Sequence, residues 1–166
     1  MFNIPVVLGA ALIPTIVGFI WYNPKVMGEA WMKAAEMTEE KMKGANMAMI
    51  FGVSLLLSVL LSVQVHRIAI HQGHLDSIFF ELINPENAES AIHIAYLENF
   101  MATYGDLYRS FGHGVLHGTF AGIFFVLPVL GTNSLFERKG WKYIWINTGY
   151  WTITLALMGG VICQFD

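Results

Sequence analysis

Histidine is the residue type here whose placement could do chemistry. The chain has 166 residues and six histidines. His66, His71, His74 and His93 fall in one long connection, and His113 and His117 open the apolar run that follows it. His113 and His117 are four apart, so on a helix they share a face about 6 Å apart along the axis. Two such imidazoles can grip one metal ion but need one or two further ligands. His66 stands at the same boundary, with Asp76, Glu98 and Asp106 nearby in sequence. The candidate metal set is therefore His113, His117 and His66, and a divalent ion is the only candidate cofactor. Two other readings of the same residues stay open: hydrogen bonding at a polar rim, and proton or pH sensing. No HExxH, glycine-rich phosphate loop or Ser/Cys nucleophile motif is present, so no catalytic residue is assigned. The one cysteine, Cys163, excludes an intramolecular disulfide and a cysteine zinc cage.

The elements that must position these residues are written in the hydropathy. Apolar residues make up 55% of the chain and charged ones only 13%, and the mean hydropathy is +0.55. A soluble domain is about a quarter charged, so lipid is the expected solvent. Four apolar runs, about 4–22, 46–65, 111–131 and 143–163, each approach the roughly 20 residues needed to span a bilayer. Val53 to Val63 is apolar or serine at every position, and a chain this short has no core deep enough to hide four such helices. The expected fold is an all-α membrane protein, one four-span bundle over residues 1–166. The first run lacks a basic flank and a small-x-small cleavage site, so it reads as a retained helix. The net charge of −3 leaves no basic surface for nucleic acid.

Lysine and arginine set the expected orientation. Residues 23–46 carry Lys25, Lys33, Lys41 and Lys43, and residues 132–142 carry Arg138, Lys139 and Lys142. The long connection 66–110 has only Arg67 and Arg109. Positive residues collect in cytoplasmic loops, which places both termini and residues 66–110 outside. Trp21, Tyr22, Trp141, Tyr143 and Trp145 then mark the inner boundary, and Tyr104, Tyr108 and Phe111 the outer one.

The connections have structure of their own. Met27, Ala30, Trp31 and Ala34 recur at helical spacing opposite Lys25, Glu29, Lys33 and Glu36, which predicts an inner interfacial helix with a Glu29–Lys33 pair. Thr38 is an expected N-cap from which the second spanning helix would start in water. Asn84-Pro85-Glu86 reads as a helix start, with Ala88, Ala91, Ile92, Ala95 and Asn99 on one face and Gly105 as the stop. Ile78, Phe79, Phe80, Leu82 and Ile83 form an apolar patch, and together these predict an outer cap of two helices.

Inside the membrane, helices associate through small residues. Ala10, Pro14 and Gly18; Ser54, Ser58 and Ser62; Gly114, Gly118 and Gly122; and Thr148, Thr152, Ala156 and Gly160 each repeat every fourth position. They predict a packed bundle or a homo-oligomer interface, and Pro14 and Pro128 predict kinks. No span holds a mid-depth Asp, Glu, Lys or Arg, which argues against an ion-coupled carrier.

The stretch Gly18-Phe19-Ile20-Trp21-Tyr22-Asn23-Pro24-Lys25-Val26-Met27-Gly28-Glu29-Ala30-Trp31-Met32 resembles the start of a bacterial membrane family catalogued as domain of unknown function 1761. Met37-Thr38-Glu39-Glu40, His113-Gly114, Pro128, Phe136-Glu137-Arg138 and Gly149-Tyr150 carry the resemblance through all four spans, while residues 66–104 look like an elaboration. The resemblance implies a four-span protein of the bacterial inner membrane and supplies no activity or site residues. Two functional expectations follow. The leading one is a non-enzymatic oligomer or accessory subunit whose outer cap meets a partner, in contact with membrane lipid. The other is a metal-dependent membrane protein, enzyme or metal handler, built on the outer histidines.

Overall fold

The computed structural model describes residues 2–84 and 89–166. In chain order the helices are α1 (Ile4–Ala10), α2 (Ile13–Trp21), α3 (Glu29–Ala35), α4 (Glu39–Lys43), α5 (Met47–Ala69), α6 (Gly73–Phe79), α7 (Ser90–Tyr104), α8 (Phe111–Ala121), α9 (Leu127–Phe136) and α10 (Trp141–Phe165). π-Helical turns at Pro24–Gly28 and Gly122–Val126 lead into α3 and α9. Four segments are long and apolar enough to cross a bilayer: Ile4–Trp21, Met47–Ala69, Phe111–Phe136 and Trp141–Phe165. With no strand among the described residues, the chain is an all-α protein with four candidate spans.

Local chemistry sets the starts and the kinks. Asn3, Asn46 and Ser110 cap α1, α5 and α8, their side-chain oxygens accepting from the N–H groups of Val6, Met49 and His113. The first span breaks at Ala11–Leu12, just before Pro14, whose ring crowds the carbonyl four residues back. In the third span the π-helical turn immediately precedes Pro128, which has no N–H to give.

The fourth span is central. Its most apolar stretch is 61% buried, against 17% for the second span. It lies along α8 through the small-residue stripes: a Cβ on Gly114 would run into the Gly159 carbonyl, and one on Gly118 into the Leu155 carbonyl. The stripes of the third and fourth spans thus face each other within one chain. The second span touches the bundle mainly through Ser58, Ser62, Val65, His66 and Ala69, and Ser62 Oγ donates to the Val7 carbonyl at 2.7 Å. Its first half leans away and leaves a cleft of about 600 Å³ beside Pro14, Gly18, Phe19, Phe51 and Ser54.

The residues of the Trp-Tyr-Asn-Pro stretch lock the first span to the fourth. Trp21 Nε1 donates to the Ile146 carbonyl at 3.1 Å, and the Tyr22 hydroxyl donates to Asn147 Oδ1 at 2.9 Å. The Tyr150 hydroxyl donates to the Pro14 carbonyl at 2.8 Å. At the other end of the bundle, which we call the cap end, a second knot forms around Asp166. Its carboxylate accepts from the Asn3 N–H at 2.7 Å, His66 Nε2 at 3.0 Å and Arg109 Nη1 at 3.1 Å. A carboxylate can only accept, so His66 carries its proton on Nε2.

Several expected boundaries change. Thr38 does cap a helix, but only the short α4, and the second span starts afresh at the Asn46 cap because Gly44 to Asn46 leave the helical path. Glu29 and Lys33 form no ion pair among the described residues; Glu36 instead meets Lys139 at 3.6 Å, tying the two basic connections together. The second span runs four residues past Val65, which carries His66 into the helix. Part of the expected start at Asn84-Pro85-Glu86, together with Ala88, lies outside the described residues. On α7 the expected face is turned outward: Ala91, Ile92, Ala95 and Asn99 are exposed, while His93, Leu97 and Phe100 are half-buried. The Phe79 ring, 6.2 Å from His93 and 6.1 Å from Tyr96, selects the packed side.

Candidate metal centre

The first two turns of α8 aim two imidazoles across the cap end. The Ser110 hydroxyl caps this helix on the His113 N–H, which fixes where the His113–His117 pair begins. Phe111 N–H donates to Gln164 Oε1 at 3.1 Å and anchors the same turn to α10. The third imidazole comes from beyond α5. Once that helix ends at Ala69, Ile70 is buried and His71 turns toward α8. Gln72 holds this turn by donating to the Tyr104 and Leu107 carbonyls at 3.0 and 2.8 Å.

His71, His113 and His117 each offer a ring nitrogen, and these nitrogens all lie within 4.8 Å of one another. His113 Nε2 is 3.0 Å from His71 Nε2 and 3.1 Å from His117 Nε2. Hydrogen bonding satisfies this arrangement poorly. A neutral imidazole nitrogen has either one N–H or one lone pair, and His113 Nε2 must serve two neighbours. A metal ion suits it better, because ligands ~2.1 Å from a tetrahedral ion sit ~3.4 Å apart, a few tenths of an ångström wider than observed. His71 is exposed and the other two are half-buried. Burial, the neighbouring His113 and then His74 hold His71 below its ordinary pKa, which favours the neutral form a metal requires.

Tyr108 stacks on the His113 ring, with centroids 5.1 Å apart and planes 19° apart. Its backbone is left-handed, φ 64°, a conformation that disfavours a bulky side chain. Cys163 Sγ lies 3.3 Å from the Tyr108 carbonyl, and the Ser110 N–H donates to that carbonyl at 2.9 Å, holding the turn.

The structure therefore brings together two of the three residues singled out from the sequence and replaces the third. His66 lies outside the cluster: it is inside α5, 7% exposed, and bound to Asp166. The two acids whose side chains are described, Glu98 and Asp106, are not in the cluster, and the Asp76 side chain lies outside the described residues. His71 was in view as one of four loop histidines, and the one signal for it was its position just past the apolar run. Asp166 had no signal in the sequence. Its carboxyl is pushed up by burial, but the Asn3 N–H, His66 and Arg109 outweigh this and hold it below the usual carboxylate range.

No curated protein and no solved structure matches this chain. A family model described as "Protein of unknown function (DUF1761)" matches residues 5–163, nearly the whole chain and all four spans. The pattern first met in the Trp-Tyr-Asn-Pro stretch thus extends over the entire bundle, and the chain belongs to the DUF1761 family.

Proposed function

We propose that this is a metal-dependent membrane protein that holds one late first-row divalent ion, zinc in type, on His71, His113 and His117. The observation that carries the reading is the convergence of three ring nitrogens on one point. Imidazole donors suit zinc, copper, nickel and iron, and three protein ligands leave at least one coordination position open. Three neutral ligands also leave the ion its full charge, so it can polarise an oxygen ligand or acidify a bound water.

The charge asymmetry supports an orientation with the cap end outward: seven Lys/Arg in the two short connections face two in the long one. In a bacterial inner membrane this puts both termini and the metal centre on the periplasmic side. A second reading, an accessory subunit or oligomer meeting a partner through its cap, is favoured by one observation. Ile78, Phe80, Ile92 and Tyr96 are 64%, 74%, 67% and 65% exposed on the cap helices and the turn after α6.

Metal analysis of the detergent-purified protein after zinc loading and desalting tests the main reading. One ion per chain is expected, with loss in His71→Ala, His113→Ala and His117→Ala and retention in His66→Ala. Metal-free protein, or binding that survives in the variant lacking all three histidines, refutes it. A reporter fused at the C-terminus tests the orientation, and cytoplasmic reporter activity overturns it.

A further inference from the structure

The two histidines of α8 stand at the edge of its exposed side, half-buried between that side and the packed one. At 100° per residue His113, His117 and Phe120 of α8 fall within one sector of about 60°, and Phe124 follows in the π-helical turn. The packed side is centred about 100° round the helix from this sector, since Gly114, Gly118 and Ala121 are buried against the bundle. Phe120 and Phe124 are 48% and 67% exposed, with their rings 5.9 Å apart edge to face. Leu116, beside the pair, is also exposed. The two histidines thus stand at the head of an aromatic stripe that faces the acyl chains. His117 lies six residues into the candidate span that begins at Phe111, ~9 Å along it at 1.5 Å per residue.

We infer that the open coordination position takes the anionic oxygen of an amphiphile, a phosphate or carboxylate whose chain lies along Phe120 and Phe124. This rests on the metal reading above. Charge complementarity selects the head group. Three neutral imidazoles cancel none of the ion's charge, and no carboxylate belongs to the cluster among the described residues. An anionic oxygen is the ligand that neutralises the ion. Location selects the tail. A molecule reaching this site from the bilayer keeps its chain in hydrocarbon while its head group meets the metal, whereas a free anion must enter without that apolar contribution. Tyr108, 61% exposed and stacked on His113, adds a polar-tipped ring at the mouth, the kind of residue that settles at the membrane boundary.

The test uses the full-length protein in a neutral maltoside detergent, loaded with cobalt(II), whose visible spectrum reports its ligands. Dodecyl phosphate and inorganic phosphate are titrated separately. The expected result is a spectral change half-complete at a dodecyl phosphate concentration at least tenfold below that of inorganic phosphate. Phe120→Ala/Phe124→Ala is expected to keep full cobalt stoichiometry and lose most of that preference, which separates seating on the stripe from simple enrichment of the amphiphile in the micelle. Equal half-points in the wild type, an undiminished preference in the double variant, or cobalt uptake with no response to either phosphate overturns this inference and leaves the metal site standing. Failure to take up cobalt at all removes both.

Discussion

Replacing Gly118 with alanine tests how tightly the helix that carries His113 and His117 is held. A Cβ there meets the Leu155 carbonyl and comes within 2.7 Å of the Ala156 Cα, so the obstacle is backbone and cannot rotate away. The two helices must separate or tilt. Overpacking of this kind costs typically 1–3 kcal/mol, and about 2 kcal/mol shifts the folded-to-unfolded ratio about 30-fold. Gly52→Ala is the matched control. It sits in the exposed half of the second span with nothing within 4 Å of its new methyl, so a change within about 0.5 kcal/mol is expected. Unfolding in mixed micelles of rising SDS content measures both variants. The consequence should reach the histidine cluster as well, because α8 supplies two of its imidazoles and the turn after α5 supplies the third. Zinc–nitrogen bonds hold near ~2.1 Å, so on the proposed metal reading Gly118→Ala should bind zinc at least tenfold more weakly while Gly52→Ala binds normally. If the two variants unfold alike, α8 and α10 do not pack as described, and the reasoning fails.

Asp166→Asn removes the charge shared by His66 and Arg109 while keeping the shape; its side chain is 1% exposed, so a loss of about 3 kcal/mol in the same unfolding assay is expected. The pH dependence follows with a definite sign. Because the folded-state pKa of Asp166 lies below the ordinary 3.8, its stabilisation is fully present above that value and is lost as pH falls through the folded pKa. An acid titration of unfolding should show this limb in the wild type and a flatter one in Asp166→Asn; identical limbs would assign the acid sensitivity elsewhere. Tyr22→Phe deletes the donor to Asn147 Oδ1 and should cost about 0.6 kcal/mol, the average for hydrogen bonds between membrane helices, and no more than about 1.7 kcal/mol. A variant as stable as wild type would show that Asn147 finds another partner.

The spans could be read from composition because transfer into lipid depends on each segment alone, and the four runs carry that signal without help from neighbours. The cap at Thr38 and the kinks ahead of Pro14 and Pro128 are equally local. Glu29 and Lys33 show the limit of such reasoning: their spacing permits a pair, yet the ion pair found in this connection joins Glu36 to Lys139 of another one.

The sequence by itself determined the four apolar helices, the small-residue stripes and the His113–His117 pair, since each follows from spacing within one segment. Only the tertiary structure decided which third histidine joins that pair. The choice rests on where α5 ends. Carried on to Ala69, the helix turns His66 inward to Asp166 and releases His71 beyond its end, where Gln72 pins the turn against the cap connection. Asp166, Asn3 and Arg109 come from distant parts of the chain, and no local periodicity could have joined them. Convergence on a point is a property of several helices at once, fixed by a few ångströms of packing at the Gly114 and Gly118 crossing.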